Sequence, residues 1–310
     1  MVFFKEYYGV KAAVVKSDVM EMTFLPGNGG RLVSLKDRNG NEWMAYEGDR
    51  IRYRGIDMNS SYVDADVCGM DDMFPTIDPE KAPVESDPAK GGYRCGVTYP
   101  DHGQIARSSF DTVYEKNGAL VMEYASSDLF YAYRKTVCPA GNGITIKWNV
   151  ENLCDEPFPF LWAAHCMLAS EKGDRLVLPY ENGARAEIMF DGSSRYGKHG
   201  DKFSVDEGAI TSLGNFSDSF TYKFYFDDSI PKGEIKYVRK NGVLTISYDE
   251  KKLPYLGVWI NNGGFKNSSC VTPEPCTLAY DTVSEATRRG QTSVIPCRGY
   301  FDLEMHFSIE

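Results

Sequence analysis

Seven Asn-Gly pairs, at Asn28, Asn39, Asn117, Asn142, Asn182, Asn241 and Asn262, punctuate the chain from one end to the other. Both residues accept the positive φ angles of tight hairpins, so pairs at this spacing predict many short strands folded back on one another. The flanks alternate as half-buried strands do. Tyr237-Val238-Arg239-Lys240 leads through Asn241-Gly242 into Val243–Tyr248, and Ile144–Val150 keeps a period of two throughout. Aromatic residues make up 13% of the chain. Runs such as Phe220–Phe226 suit a pleated surface better than a helix. The clearest helix signal is Asp281–Gly290, where Thr282 and Glu285 have capping-box spacing, Arg288 and Arg289 fall in the last turn and Gly290 can close it. The chain is therefore expected to be all-β with few short helices. Its 310 residues can form one large domain, with residues 79–92 as a surface loop and not a linker.

Charge narrows the partners. With 34 basic and 44 acidic residues the net charge is −10, which argues against nucleic acid and anionic membrane surfaces. Met1–Tyr8 has no basic stretch followed by an apolar core, and no apolar run is long enough to cross a bilayer. A soluble, cytoplasmic protein is expected, acting as a monomer or homodimer on a small molecule. The eight cysteines contain no Cys-x-x-Cys pair and no zinc-type cluster, so reduced thiols and no metal are expected.

Three segments hold candidate chemistry. Glu274 lies between Pro273 and Pro275, which hold its backbone extended and place the carboxylate on a stiff stem. That suits a general base, and equally a turn carboxylate paired with Arg288 or Arg289. His102, followed by Gly103 and five residues ahead of Arg107, places an imidazole in a turn where backbone can approach a ligand, with a cation nearby; a loop histidine is the plainer alternative. His165 lies in the apolar run Phe158–Leu168, where desolvation favours its neutral form. There the alternative is a core histidine satisfied by a backbone carbonyl.

Taken in order, these segments resemble the aldose 1-epimerase (galactose mutarotase-like) superfamily, including its hexose-6-phosphate mutarotase branch. Leu25–Leu35 resembles its N-terminal strand pair, Gly69–Thr76 its Phe-Pro segment ahead of the His-Gly turn, and Glu274-Pro275-Cys276-Thr277 its Glu-Pro-x-Thr stretch. The resemblance implies a β-supersandwich of large antiparallel sheets. It also implies interconversion of the α and β anomers of a free aldose without a cofactor. By the same resemblance Glu274 is the base and His165 the acid, His102 hydrogen-bonds the sugar, Arg107 lies beside it and Trp259 offers a ring face. Asp71, Asp72 or Asn261 would stand for the family's acidic sugar-binding residue, and Arg94 or Arg107 would meet a 6-phosphate. The histidine and glutamate are expected on opposite sides of one cleft, about a pyranose width apart, with Glu274 raising the pKa of His165. Where family members often carry Pro-Tyr-Phe after the histidine, this chain has Cys166-Met167-Leu168.

The competing readings are a sugar-binding protein without catalysis on the same fold, and a glycoside hydrolase or lyase needing a second carboxylate.

Overall fold

The computed structural model describes residues 1–46, 53, 55–83, 94–205 and 219–310. Most of the 79–92 segment lies outside them, but its start does not form a loop: Glu80–Lys81 pairs as a short strand with Thr98–Tyr99. Among the described residues a twelve-stranded antiparallel sheet runs in the order Val2–Tyr7, Val10–Lys16, Met20–Leu25, Arg31–Asp37, Met70–Met73, Ala163–Cys166, Ser269–Cys276, Tyr255–Asn262, Phe220–Phe226, Ala184–Asp191 and Lys202–Val205. Leu168–Ala169 completes it by pairing with Ser269–Cys276. An eight-stranded sheet runs Arg175–Val177, Glu234–Arg239, Gly242–Tyr248, Tyr300–Ile309, Gly143–Asn152, Tyr131–Ala140, Ala119–Ser126 and Thr112–Lys116. Apolar side chains from the facing surfaces of both sheets merge into one core cluster.

Six of the seven Asn-Gly pairs sit at turns, as their chemistry requires, while Asn262 ends the strand Tyr255–Asn262 just ahead of one. Asn117 and Gly118 form a two-residue hairpin loop at φ 52° and 79°, with Lys116 facing Ala119 across it. Helix is sparse among the described residues: Val283–Arg288 is a short α-helix whose Thr282 hydroxyl accepts from the Glu285 amide, and Gly290 closes it at φ 81°. No helix among the described residues is long and apolar enough to cross a membrane.

Register in the large sheet builds a row of functional side chains. Leu32 faces Met70, which sets Arg31 opposite Asp71, and Asp71 faces His165. Ala163 faces Cys276 and Leu168 faces Val271 in one continuous register, so His165 stands opposite Glu274. Glu274 faces Gly257, Gly257 faces Tyr225, and Tyr225 faces Glu187. Because side chains alternate between faces, this row shares the face of the sheet that looks away from the core. Asp72 points the other way, into the core.

The two prolines shape this row. Proline normally marks an edge strand, yet Pro273 and Pro275 lie in a central one, paired with Val258 and Leu256. Thr277 donates its amide to Trp162 O. By two-residue alternation the nitrogens of Pro275 and Pro273 face the same side and have no hydrogen to give. The ladder there is registered only at its ends, and His165 and Glu274 occupy the interruption.

Gly257 is the small member of the row. A Cβ there would lie 2.8 Å from Tyr225 Cε1 and 3.1 Å from Cζ. Gly257→Ala is expected to displace this buried ring and cost about 1–3 kcal/mol, read as a lower urea midpoint at unchanged slope.

Candidate active site

A cavity of 1020 Å³ opens on this face of the twelve-stranded sheet, and His165, Glu274, His102, Trp259, Lys223 and Asp281 all line it. Glu274 is 1% exposed and His165 5%. His165 Nε2 lies 3.8 Å from Glu274 Oε1, beyond hydrogen-bond length but adjacent. The expected separation across a cleft is thus corrected. The two groups are cross-strand neighbours on one wall, because register places them opposite each other on adjoining strands.

The expectation for the charge on His165 is corrected too. Burial, followed by His102, Lys223 and Arg31, pushes its pKa well below the usual histidine range. Glu274 does not offset this, because its own charge is directed to Lys223. Lys223 Nζ lies 2.7 Å from Glu274 Oε2 and 2.8 Å from Asp281 Oδ1. Burial works against the Lys223 charge, but Asp281 and Glu274 outweigh it and hold the ammonium above the usual lysine range. Burial raises Glu274 above the ordinary carboxylate value while Lys223 opposes it. Neither Arg288 nor Arg289 pairs with Glu274; Arg289 holds Glu187 and Glu285.

A second layer fixes the histidines. Arg31 Nε is 2.7 Å from Asp71 Oδ1, and the Tyr62 hydroxyl donates to Asp71 Oδ2. The same Tyr62 oxygen is 3.5 Å from His165 Nδ1. With the hydroxyl hydrogen committed to Asp71, that oxygen accepts from Nδ1–H, leaving Nε2 toward Glu274. The Tyr62 ring stacks on His102 at 3.9 Å and 1°. Asp101 ties both, accepting from the Tyr62 amide at 2.7 Å through Oδ2 and lying 2.7 Å from His102 Nδ1 through Oδ1.

Burial alone would raise Asp101, but the bonds from His102 and the Tyr62 amide hold it down to about 2, from an ordinary 3.8. A depressed carboxyl contributes stability above its unfolded pKa and loses it as pH falls through the folded value. Asp101→Asn is therefore expected to melt below wild type at pH 5, with the two melting curves converging as pH falls from about 4 toward about 2.

His102 itself lies at φ 57°, and Gly103 at φ 76° packs so closely that a Cβ would lie 2.3 Å from Phe74 O. The close approach that glycine permits at this turn is taken up by the Phe74 backbone and not by a ligand.

Three expected sugar contacts lie elsewhere. Arg107 spends its guanidinium on backbone carbonyls, Asp101 O at 3.0 and 2.7 Å and Asp57 O at 2.5 Å, and so braces the turn behind His102. Asp72 is 0% exposed between the sheets, bound to Lys135 at 3.0 Å, Trp148 Nε1 at 2.8 Å and the Tyr133 hydroxyl at 3.1 Å. Asn261 is occupied by its own loop: its amide donates to Phe265 O and Ser268 O while its oxygen accepts from the Phe265 amide. Arg94, the other phosphate candidate, is fully buried against Leu129 O, Asn152 and Glu156. Trp259 does line the cavity, its ring centroid 5.7 Å from that of His165 and its Nε1 donating to Thr221 at 2.9 Å. Lys223 and Tyr62 went unread in the sequence, and Asp281 was read only as the start of the helix signal Asp281–Gly290. The one available signal was a lone lysine inside the aromatic strand Phe220–Phe226.

No family model and no curated protein matches the sequence. Solved structures do match the fold. A galactose mutarotase-like protein from Clostridium acetobutylicum superposes with a TM-score of 0.69 over 100% of this chain and 98% of that one, at 14% identity. A galactose mutarotase-like protein from Lactobacillus casei gives 0.65 over 96% and 100%, at 15% identity. A galactose mutarotase related enzyme from Lactobacillus acidophilus gives 0.64 over 96% and 97%, at 12% identity. The chain has the galactose mutarotase-like fold, the one to which its ordered motifs pointed.

Proposed function

We propose that the protein is an aldose 1-epimerase-like isomerase that interconverts the α and β anomers of a free aldose at the His165–Glu274 pair. The observation that carries this reading is the placement of those two groups: 3.8 Å apart, almost fully buried, and both facing one cavity beside the Trp259 ring. Mutarotation needs a proton removed from the C1 hydroxyl and one delivered to the ring oxygen. Those two oxygens share one carbon and lie close together. Neighbouring groups on one wall can therefore reach both.

In the working form His165 has taken up a proton from solvent at Nε2, so Glu274 removes the hydroxyl proton while Nε2–H gives its proton to the ring oxygen; the ring opens, C1 turns, and the reverse transfers close it on the other face and return both groups to their starting protonation. Burial helps both partners. It makes the Glu274 carboxylate a stronger base and the His165 imidazolium, once formed, a stronger acid. Because the groups are neighbours, they titrate as a pair, and the pH–rate profile belongs to the dyad and not to either residue. The side chains expected to meet a 6-phosphate, Arg94 and Arg107, are committed elsewhere, so the reading favours unphosphorylated sugars among these contacts. Polarimetry of freshly dissolved α-D-glucose and α-D-galactose tests it. The protein is expected to speed the approach to equilibrium. A rate equal to buffer for every aldose tried, with binding still detectable by calorimetry, would replace this reading with a non-catalytic sugar-binding protein.

A further inference from the structure

We infer that Lys223 is a positioning residue for the proposed base: by bridging Glu274 and Asp281 it fixes the aim of the Glu274 carboxylate and keeps it ionised for proton removal. The inference rests on the mutarotase reading and goes beyond it.

The geometry is specific. Lys223 Nζ sits between the two carboxylates at 2.7 and 2.8 Å, and its side chain is 12% exposed. It comes from a strand that is not the neighbour of the Glu274 strand; Tyr255–Asn262 lies between, and presents Gly257 at the Glu274 register position. The ammonium therefore reaches across an intervening strand to make this contact. Asp281 is held for the same meeting. Tyr280 and Asp281 both adopt positive φ, 74° and 67°, a conformation that non-glycine residues avoid unless their surroundings impose it. Here the amides of Ile77 and Asp78 donate to Asp281 O at 3.1 and 2.9 Å, and the Tyr225 hydroxyl donates to Oδ1 at 2.7 Å. An unfavourable backbone is maintained, and the carboxylate it carries meets Lys223.

The groups facing Glu274 are His165 on one neighbouring strand, Lys223 across the other, Asp281 beyond them, and His102 from the turn, with Cys276 on its own strand. Lys223 is the one ammonium among them. Without it, a buried Glu274 beside Asp281 holds its proton and cannot take one from a sugar. Without the Asp281 charge, Lys223 serves Glu274 alone and the carboxyl ionises more readily. The two substitutions therefore act in opposite directions.

The test is the pH dependence of kcat/KM for α-D-glucose mutarotation in wild type, Lys223→Met and Asp281→Asn. It is paired with 13C NMR titration of the Glu274 carboxyl in protein labelled at glutamate Cδ, assigned through Glu274→Gln. Lys223→Met is expected to move the acid limb and the carboxyl titration to higher pH, with kcat/KM down about tenfold or more on the acid side and KM nearly unchanged. Asp281→Asn is expected to move both to lower pH. General damage to the fold lowers rates without separating the limbs. Lys223→Gln, which keeps hydrogen-bond donors without the charge, serves if Lys223→Met does not fold, and should shift the same way. Shifts in one direction for both sites, or a Glu274 titration unmoved by loss of Lys223, overturn the inference. A wild type with no mutarotase activity overturns the functional reading instead, and the carboxyl titration still decides the role of Lys223.

Discussion

Glu274→Gln is expected to remove most of the catalysed rate, on the order of 10²- to 10⁴-fold, which is the usual contribution of a positioned acid or base. The substitution keeps the size of the side chain and the extended backbone between Pro273 and Pro275. What it removes is the ability to accept a proton. His165→Asn should cost a similar factor by removing the donor to the ring oxygen. Because the two groups act as one unit, the double substitution should be little slower than either single one. The initial slope of optical rotation after dissolving one anomer reads all three. KM should change far less than kcat, since Trp259, His102 and the cavity wall remain in place. A large rise in KM at constant kcat would instead make Glu274 a binding group.

The largest expected loss of stability comes from the opposite face of the same sheet. Lys135→Met strands Asp72, a carboxyl with no exposed surface whose ion partner is Lys135 at 3.0 Å. Removing one partner of a buried pair costs about 3–5 kcal/mol, because the remaining charge has neither water nor counter-ion. The bonds from Trp148 and Tyr133 soften this without replacing the cation. Urea unfolding at pH 7 should show the loss. The pH dependence has a definite sign. Burial already raises Asp72 above its ordinary 3.8, and Lys135 opposes that rise. In the variant the folded state binds a proton more tightly than the unfolded chain. The deficit is therefore least at acid pH and grows as pH rises through the raised folded value. Replacing the pair together, Lys135→Met with Asp72→Leu, should recover much of the stability, since an apolar pair of similar volume leaves no charge to solvate. If Lys135→Met alone is neutral, Asp72 does not carry a charge in the folded protein.

Asp72 has a neighbour from which the sequence alone could not separate it. Asp71 and Asp72 are adjacent and chemically alike, yet one anchors the cavity wall through Tyr62 and Arg31 and the other lies in the core. Side-chain parity decides between them, and parity follows from register, which is a long-range property. The local signals were readable: Asn-Gly turns, alternating flanks and the capped helix at Thr282 all follow from chemistry within a few residues. His165 and Glu274 were readable as candidates, one for its apolar setting and the other for its prolines. Their contact was not, because it depends on the pairing of strands more than a hundred residues apart. Lys223 was missed for a related reason. A lysine on a strand usually meets solvent, and only the order of strands across the sheet reveals that this one spans to Glu274. Arg107 and Asn261 were misassigned because sequence shows which polar groups are present but not which backbone groups claim them. Both turned out to satisfy carbonyls of nearby loops.

The most direct test of the central claim is two-dimensional proton exchange spectroscopy on glucose already at anomeric equilibrium, with and without protein. The account predicts cross-peaks between the α and β anomeric protons with wild-type protein at mixing times where buffer gives none, and their loss with Glu274→Gln at equal concentration. Cross-peaks of undiminished intensity with Glu274→Gln would contradict it.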